Sequence, residues 1–223
     1  MKTKNRTFLV VAATTVLLFS KSKCVIADGD VEFWQSAIAC FDINPDWAVA
    51  VEEHVKMGHV AGNVYYHHTD LGFVYKSFAE GIDLGFNFKQ AFKKDDDGHW
   101  CRENRPHLNV TFKGRLGPLD FADRSRMEFR DRECDEDLWR YTHRLKVKLP
   151  YEFTRFKFRP YVADQVYLNL ERQTFEKNRI YAGIMFELSK NLESEFCYVW
   201  QSAKPDGQWE DLNALGILLR IRF

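Results

Sequence analysis

The last twelve residues, Leu212 to Phe223, read LNALGILLRIRF, with an apolar side chain at every second position back from the end: Phe223, Ile221, Leu219, Ile217 and Leu215. Arg222, Arg220, Leu218, Gly216 and Ala214 fill the positions between. A period of two belongs to a β-strand, whose successive side chains point to opposite faces. A strand apolar on one face, arginine-bearing on the other and closed by an aromatic suits a wall between lipid and a polar lumen. Phe223, Ile221 and Leu219 are then the expected insertion signal, read by a barrel-insertion machinery. An edge strand of a soluble sandwich could share the period, but the same polarity recurs upstream.

Strand-like runs fall near 31–41, 47–57, 64–77, 82–92, 106–115, 119–132, 138–149, 155–169, 179–188, 192–202 and 212–223, with almost nothing helical between them. In 82–92, Ile82, Leu84, Phe86 and Phe88 alternate with Asp83, Gly85, Asn87 and Lys89. In 138–149, Trp139, Tyr141, Leu145 and Val147 oppose Arg140, Thr142, Arg144 and Lys146. Connections alternate in length. Short ones stand at Ala79-Glu80-Gly81, Gly117-Pro118, Pro150 and Lys190-Asn191; longer ones run from Lys93 to Arg105, Glu133 to Asp137, Glu171 to Asn178 and Lys204 to Asp211. The pattern predicts an all-β, antiparallel up-and-down transmembrane barrel. Eleven runs are visible, yet bacterial barrels normally carry an even number. The expectation is therefore ten to twelve strands, with twelve preferred and the doubtful place at Asn44-Pro45. A soluble carrier barrel would show the same period with its apolar face inward.

At the amino terminus, Lys2, Lys4 and Arg6 precede an uncharged run from Thr7 to Phe19 and then Val25-Ile26-Ala27. That is the layout of a signal peptide cut after Ala27. The run is too short for a membrane helix, which needs about twenty residues. Residues 28–223 form one expected domain, located in the outer membrane and facing its lipid. Cleavage removes five basic residues and no acids, leaving 27 basic against 32 acidic, so composition offers nothing for nucleic acid. Aromatic residues make up 15% of the chain, enough to supply interfacial girdles.

The polar face is heavily charged. Arg124, Arg126, Glu128, Arg130 and Arg132 alternate along one run, across the Glu133 to Asp137 connection from Arg140, Arg144, Lys146 and Lys148. Arg155, Lys157 and Arg159 follow; Glu52, Asp83, Glu128, Glu187, Glu193 and Glu195 are the candidate acids. With Arg179 these form an expected luminal charge cluster. It has a structural reading, in which arginine–carboxylate ladders fill a narrow barrel. It also has a functional one, in which basic rings favour anions. The sequence leans to the structural reading, because side chains commonly fill small barrels.

These residues resemble the bacterial domain-of-unknown-function family 2490. The resemblance rests on Trp34, on Glu103-Asn104-Arg105, on the alternating Arg124, Arg126, Glu128 and Arg130, on Arg140-Tyr141 with Arg144, and on Asn178-Arg179-x-Tyr181-Ala182-Gly183. Two positions depart from the pattern: Gln165 stands where a Glu is common, and Cys197 where a Gly is. The resemblance implies an exported β-barrel and carries no established activity.

Cys101 and Cys134 lie in longer connections flanking the 106–132 hairpin, where an exported chain could join them in a disulfide. The seven histidines lack metal-ligand spacing, and the adjacent His67 and His68 would point to opposite faces of a strand. No metal or cofactor is expected. Asp123, Ser125 and His143 fall on the outward face, and a hairpin turning near Cys134 sets Ser125 opposite His143. Such a pair could serve a lipid-interface hydrolase. No family motif for such an enzyme is present, so a non-enzymatic barrel leads, with the hydrolase and an anion-favouring channel as alternatives. The sequence does not specify a solute or an oligomeric state.

Overall fold

A computed structural model describes residues 31–58, 63–149, 157–204 and 207–223. The expected signal peptide and Arg155 lie outside these residues. The chain forms eleven strands: β1 (Val31–Asp42), β2 (Trp47–Gly58), β3 (Asn63–Ala79), β4 (Ile82–Lys94), β5 (Trp100–Leu116), β6 (Leu119–Arg132), β7 (Leu138–Lys148), β8 (Arg159–Asn169), β9 (Thr174–Ser189), β10 (Leu192–Ala203) and β11 (Glu210–Arg222). Each pairs antiparallel with the next, and β1 pairs with β11 to close a barrel.

The closure corrects two expectations. The described strands number eleven rather than twelve, and the barrel is not purely antiparallel. Val31 to Cys40 run parallel to Asn213 to Arg222. One fact explains both: strands that alternate in direction leave the first and the eleventh pointing the same way, so their ladder is parallel. Asn44-Pro45 is a true turn. The Asn44 side chain accepts hydrogen bonds from the Asp46 and Trp47 amides at 2.9 and 2.8 Å.

Parity decides which face is which. Phe86, Leu108, Val110, Phe112 and Ile184 are exposed on the outside, while Glu128 and Arg140 are 2% and 6% exposed on the inside. The apolar face points out and the charged face in, the reverse of a carrier with an apolar interior. Aromatic contacts gather at both ends of the wall. Phe129–Trp139 and Phe175–Trp209 lie toward the longer connections. Phe41–Phe223, Trp47–Tyr75 and Phe112–Phe121 lie toward the short turns.

Two boundaries differ from the sequence reading. The long loop expected from Lys93 to Arg105 shrinks to five residues, because β4 runs to Lys94 and β5 starts at Trp100. Here even the outward residues are polar. Glu53, Thr69, Gln90, Asn104 and Asp131 form a continuous cross-strand row, bonded Thr69 to Glu53 at 2.7 Å and Asn104 to Asp131 at 3.0 Å. With no apolar contrast, strand and loop look alike. Conversely, β8 begins at Arg159 rather than at residue 155; the short connection expected at Pro150 lies outside the described residues.

Cys101 and Cys134 are joined by a disulfide, with Cα atoms 5.7 Å apart. It ties the start of β5 to the connection between β6 and β7. Closing a loop with a separation of 33 residues stabilises by roughly 3–4 kcal/mol in the chain-entropy account. The Cys101→Ser, Cys134→Ser double variant should unfold at correspondingly lower denaturant concentration. Non-reducing peptide mapping should link the two cysteines in the parent; free thiols there would contradict the bridge.

Candidate functional site

Inward-pointing residues of all the strands enclose a cavity of about 960 Å³. It is lined toward the longer connections by Asp96, Asp135, Arg172 and Lys204, and in the opposite direction by Tyr161, Glu195 and Leu218. Beyond Glu195, toward the short turns, the Arg220 guanidinium meets Glu193 at 2.5 Å and lies 4.0 Å from Glu195. Lys146 reaches across the interior to Glu195 at 2.8 Å. This network lies at the end of the cavity toward the short turns.

The interior charges fall into two groups. Some are neutralised: Arg105 and Arg130 share Glu103, Arg140 binds Glu128, and Lys89 lies 3.2 Å from Asp70. Others have no carboxylate within ion-pair distance among the described residues: Lys56, Arg124, Arg126, Arg144, Lys177 and Arg179, all of which line the cavity. Arg124 and Arg144 are direct cross-strand partners, and Arg144, Gln165 and Arg179 follow in register across β7, β8 and β9. Like charges so placed repel. Gln165 puts a neutral amide between two arginines and accepts from the Tyr181 hydroxyl at 3.1 Å.

Aromatic faces support these cations. Arg144 lies over Tyr181 at 4.6 Å, Arg179 over Trp34 at 4.6 Å, and Lys56 over Trp34 at 3.7 Å. Arg179 also donates to Gln201 at 2.7 Å and to the Tyr167 hydroxyl at 2.9 Å. Each ring face contributes about 0.5–2 kcal/mol while leaving the positive charge in place. The Nε atoms of Arg124 and Arg144 are buried without a hydrogen-bond partner among the described residues.

The expected luminal cluster of Arg124, Arg126, Glu128, Arg130, Arg140, Arg144 and Arg179 does meet in one cavity. Glu52 and Glu195 join it. Asp83, Glu187 and Glu193 instead pair with Lys113, with Lys157 and Arg159, and with Arg220. Alternation along 179–188 already sets Tyr181 on the polar face with Arg179, but sequence reasoning missed the inward Tyr161 and Tyr167. Their common parity with Ala163 and Gln165 was the available signal. It also missed a convergence of ligand atoms from Glu52, His68 and Asp70, all within 4.8 Å of one another. The hint was His68-x-Asp70 on one strand face. Asp95, Asp97 and His99 converge similarly on an exposed connection.

On the outside, Ser125 stands opposite His143 in register. In place of a Ser–His hydrogen bond stand two other contacts: Ser125 Oγ lies 2.8 Å from the Tyr141 hydroxyl, and His143 Nε2 lies 2.6 Å from an Asp123 carboxylate oxygen. The tyrosine, two residues from His143 on the same strand face, reaches the serine diagonally.

Glu128 provides a direct test of the neutralised group. Replacing it with Ala leaves Arg140 buried with no carboxylate, beside Arg105 and Arg130. Removing one partner of a fully buried pair costs roughly 3–5 kcal/mol, so Glu128→Ala should lower the urea midpoint sharply. An unchanged midpoint would show that the pair contributes nothing.

Comparison with solved structures finds the crystal structure of the NanC porin, at 10% sequence identity and a TM-score of 0.50, covering 84% of this chain and 97% of that one. The likeness is one of fold: a porin-like β-barrel. No curated protein matches the sequence. The profile of the family described as protein of unknown function (DUF2490) matches residues 31–211, and the chain belongs to that family.

Proposed function

We propose that the protein is an exported outer-membrane barrel whose lumen is a narrow passage favouring anions. The observation that carries this reading is the surplus of luminal cations without carboxylate partners, centred on Arg124, Arg144 and Arg179. A salt-bridged filler would be neutralised throughout. This interior is neutralised near Glu103, Glu128 and Glu195 and positive between them. Basic residues around a pore lower the barrier for anions and raise it for cations. The apolar outer wall with aromatic contacts at both ends supports insertion in lipid, and the basic-then-apolar start of the chain supports export.

Reconstituted in planar bilayers, the protein should conduct weakly and prefer chloride to potassium. Arg144→Glu should reduce or reverse that preference. High salt should blunt it, since the screening length falls to about 3 Å at 1 M. Glu195→Gln should raise conductance by loosening its network with Lys146 and Arg220. Cation preference in the parent, or a silent bilayer with all variants, would reject the passage. Deleting Phe223, whose backbone bonds to Cys40 and Asp42 and whose ring stacks on Phe41 at 4.9 Å, should impair assembly with the insertion machinery.

A second reading is a lipid-interface hydrolase. It is favoured by the Asp123–His143 contact beside Ser125 on an apolar wall. Ester hydrolysis in mixed phospholipid–detergent micelles that vanishes in Ser125→Ala would support it. Equal release by parent and variant would exclude it.

A further inference from the structure

We infer that Glu52, His68 and Asp70, with His107 alongside, form a binding site for a divalent transition-metal ion on the lumen wall, of the nitrogen-and-oxygen type that suits zinc. The inference is independent of whether the lumen conducts. Glu52 and Asp70 are direct cross-strand partners on β2 and β3, and His68 lies two residues from Asp70 on the same inward face. One ligand atom from each converges within 4.8 Å. An ion held at about 2.0–2.2 Å brings its donors within about 4.4 Å of one another, so the three side chains draw in slightly around it.

The histidine tautomers supply an independent observation. His107 Nδ1 lies 3.1 Å from the Arg105 backbone carbonyl, which can only accept, so Nδ1 carries the hydrogen. In the neutral ring, Nε2 is then a bare lone pair. It is buried, has no hydrogen-bond partner among the described residues, and lies 3.5 Å from Asp70 Oδ2. His68 offers a second unpartnered ring nitrogen. Its Nδ1 contacts the Tyr66 hydroxyl at 3.0 Å, and its Nε2 is buried without a hydrogen-bond partner among the described residues. With that hydroxyl accepting, Nε2 is likewise a bare lone pair. The residue is 6% exposed. The His68 lone pair and the Glu52 and Asp70 carboxylates are all acceptors, with the His107 lone pair beside Asp70, and acceptors brought together need a cation. Fixing a ligand histidine through its far nitrogen is the usual outer-shell device of metal sites. Asn87 acts likewise on the carboxylate, donating to Asp70 Oδ1 at 2.9 Å and leaving Oδ2 toward the site.

Lys89 is the competing cation, with its ammonium 3.2 Å from Asp70 Oδ2. It neutralises one carboxylate but reaches neither imidazole within ion-pair or hydrogen-bond distance among the described residues, and Glu52 has no ion-pair partner there. A metal ion satisfies all the acceptors at once, while the lysine stem swings aside. Imidazole donors disfavour calcium and magnesium, which take oxygen ligands. A bound dication would also add positive charge to the lumen wall.

The test is zinc titration of the folded full-length barrel in detergent, in competition with a chromogenic chelator. Cobalt substitution provides the spectrum. The parent should take up one equivalent with the visible absorption of a low-coordinate site. His68→Gln and Glu52→Gln should weaken binding by more than the ~10–100-fold that loss of an outer-shell partner costs. Lys89→Met should tighten it by removing the competing charge. His67→Ala, on the outward face of the same strand, and His99→Ala, in the exposed Asp95–Asp97–His99 group, should leave it unchanged. Heat-modified gel mobility confirms that each variant is folded. Failure of the parent to hold zinc, binding unaltered in both His68→Gln and Glu52→Gln, or loss that follows His99→Ala would each overturn the site.

Discussion

The whole interior depends on how an ionised side chain is kept where water is scarce. A strand offers two faces only, and in this chain one is committed to apolar residues along most of its length. The charged residues therefore have nowhere to go but inward, and closing the sheet concentrates them. Desolvation of each costs several kcal/mol unless something replaces the lost water. The protein uses two replacements. Carboxylates hold Arg105, Arg130, Arg140, Lys146 and Arg220. Aromatic faces hold Lys56, Arg144 and Arg179.

Two glycines on the inward face, on β9 and β11, show how space for these groups is made. Gly183 lies beneath the Tyr161 ring, and a Cβ there would come within 2.9 Å of it and 2.6 Å of the Phe196 carbonyl. Gly216 makes similar room for Cys197 Sγ. Small residues on one strand thus let large ones on the next lie flat against the wall instead of filling the centre. Tyr161 then presents its face to Lys146 at 3.9 Å, and the cavity survives inside a small barrel.

Much of this was legible in the residues because period-two alternation is a strong signal wherever the two faces differ. It located eleven runs, assigned the faces, and placed Ser125 opposite His143. It failed where contrast vanished. At 100–105 both faces are polar, because the strand has risen past the apolar band, so strand was read as loop. In β8 the inward face carries Tyr161, Ala163 and Tyr167, which resemble the outward residues, and the aromatic supports went unseen. The parallel seam was hidden by an assumption about even strand number, although the run count already implied it. The ligand group at Glu52, His68 and Asp70 needs a cross-strand register, and register between distant runs is not written in either run alone.

The two ways of holding a cation have different electrical consequences. A carboxylate anchors a guanidinium by neutralising it, so the Arg140–Glu128 pair leaves little field in the lumen. A tyrosine or tryptophan face anchors it through a quadrupole, and the net charge remains. Along the wall, carboxylate pairs occupy the region of Glu103 and Glu128 toward the longer connections and that of Glu193 and Glu195 toward the short turns. Between them, Arg144 and Arg179 rest on rings with Gln165 as a neutral spacer. If Gln165 were a carboxylate, it would sit between both arginines in register and cancel much of that field. An amide of nearly the same shape keeps the hydrogen bond from Tyr181 and spares the charge. The distribution of aromatics and amides, more than the number of arginines, is therefore what leaves the middle of this barrel positive.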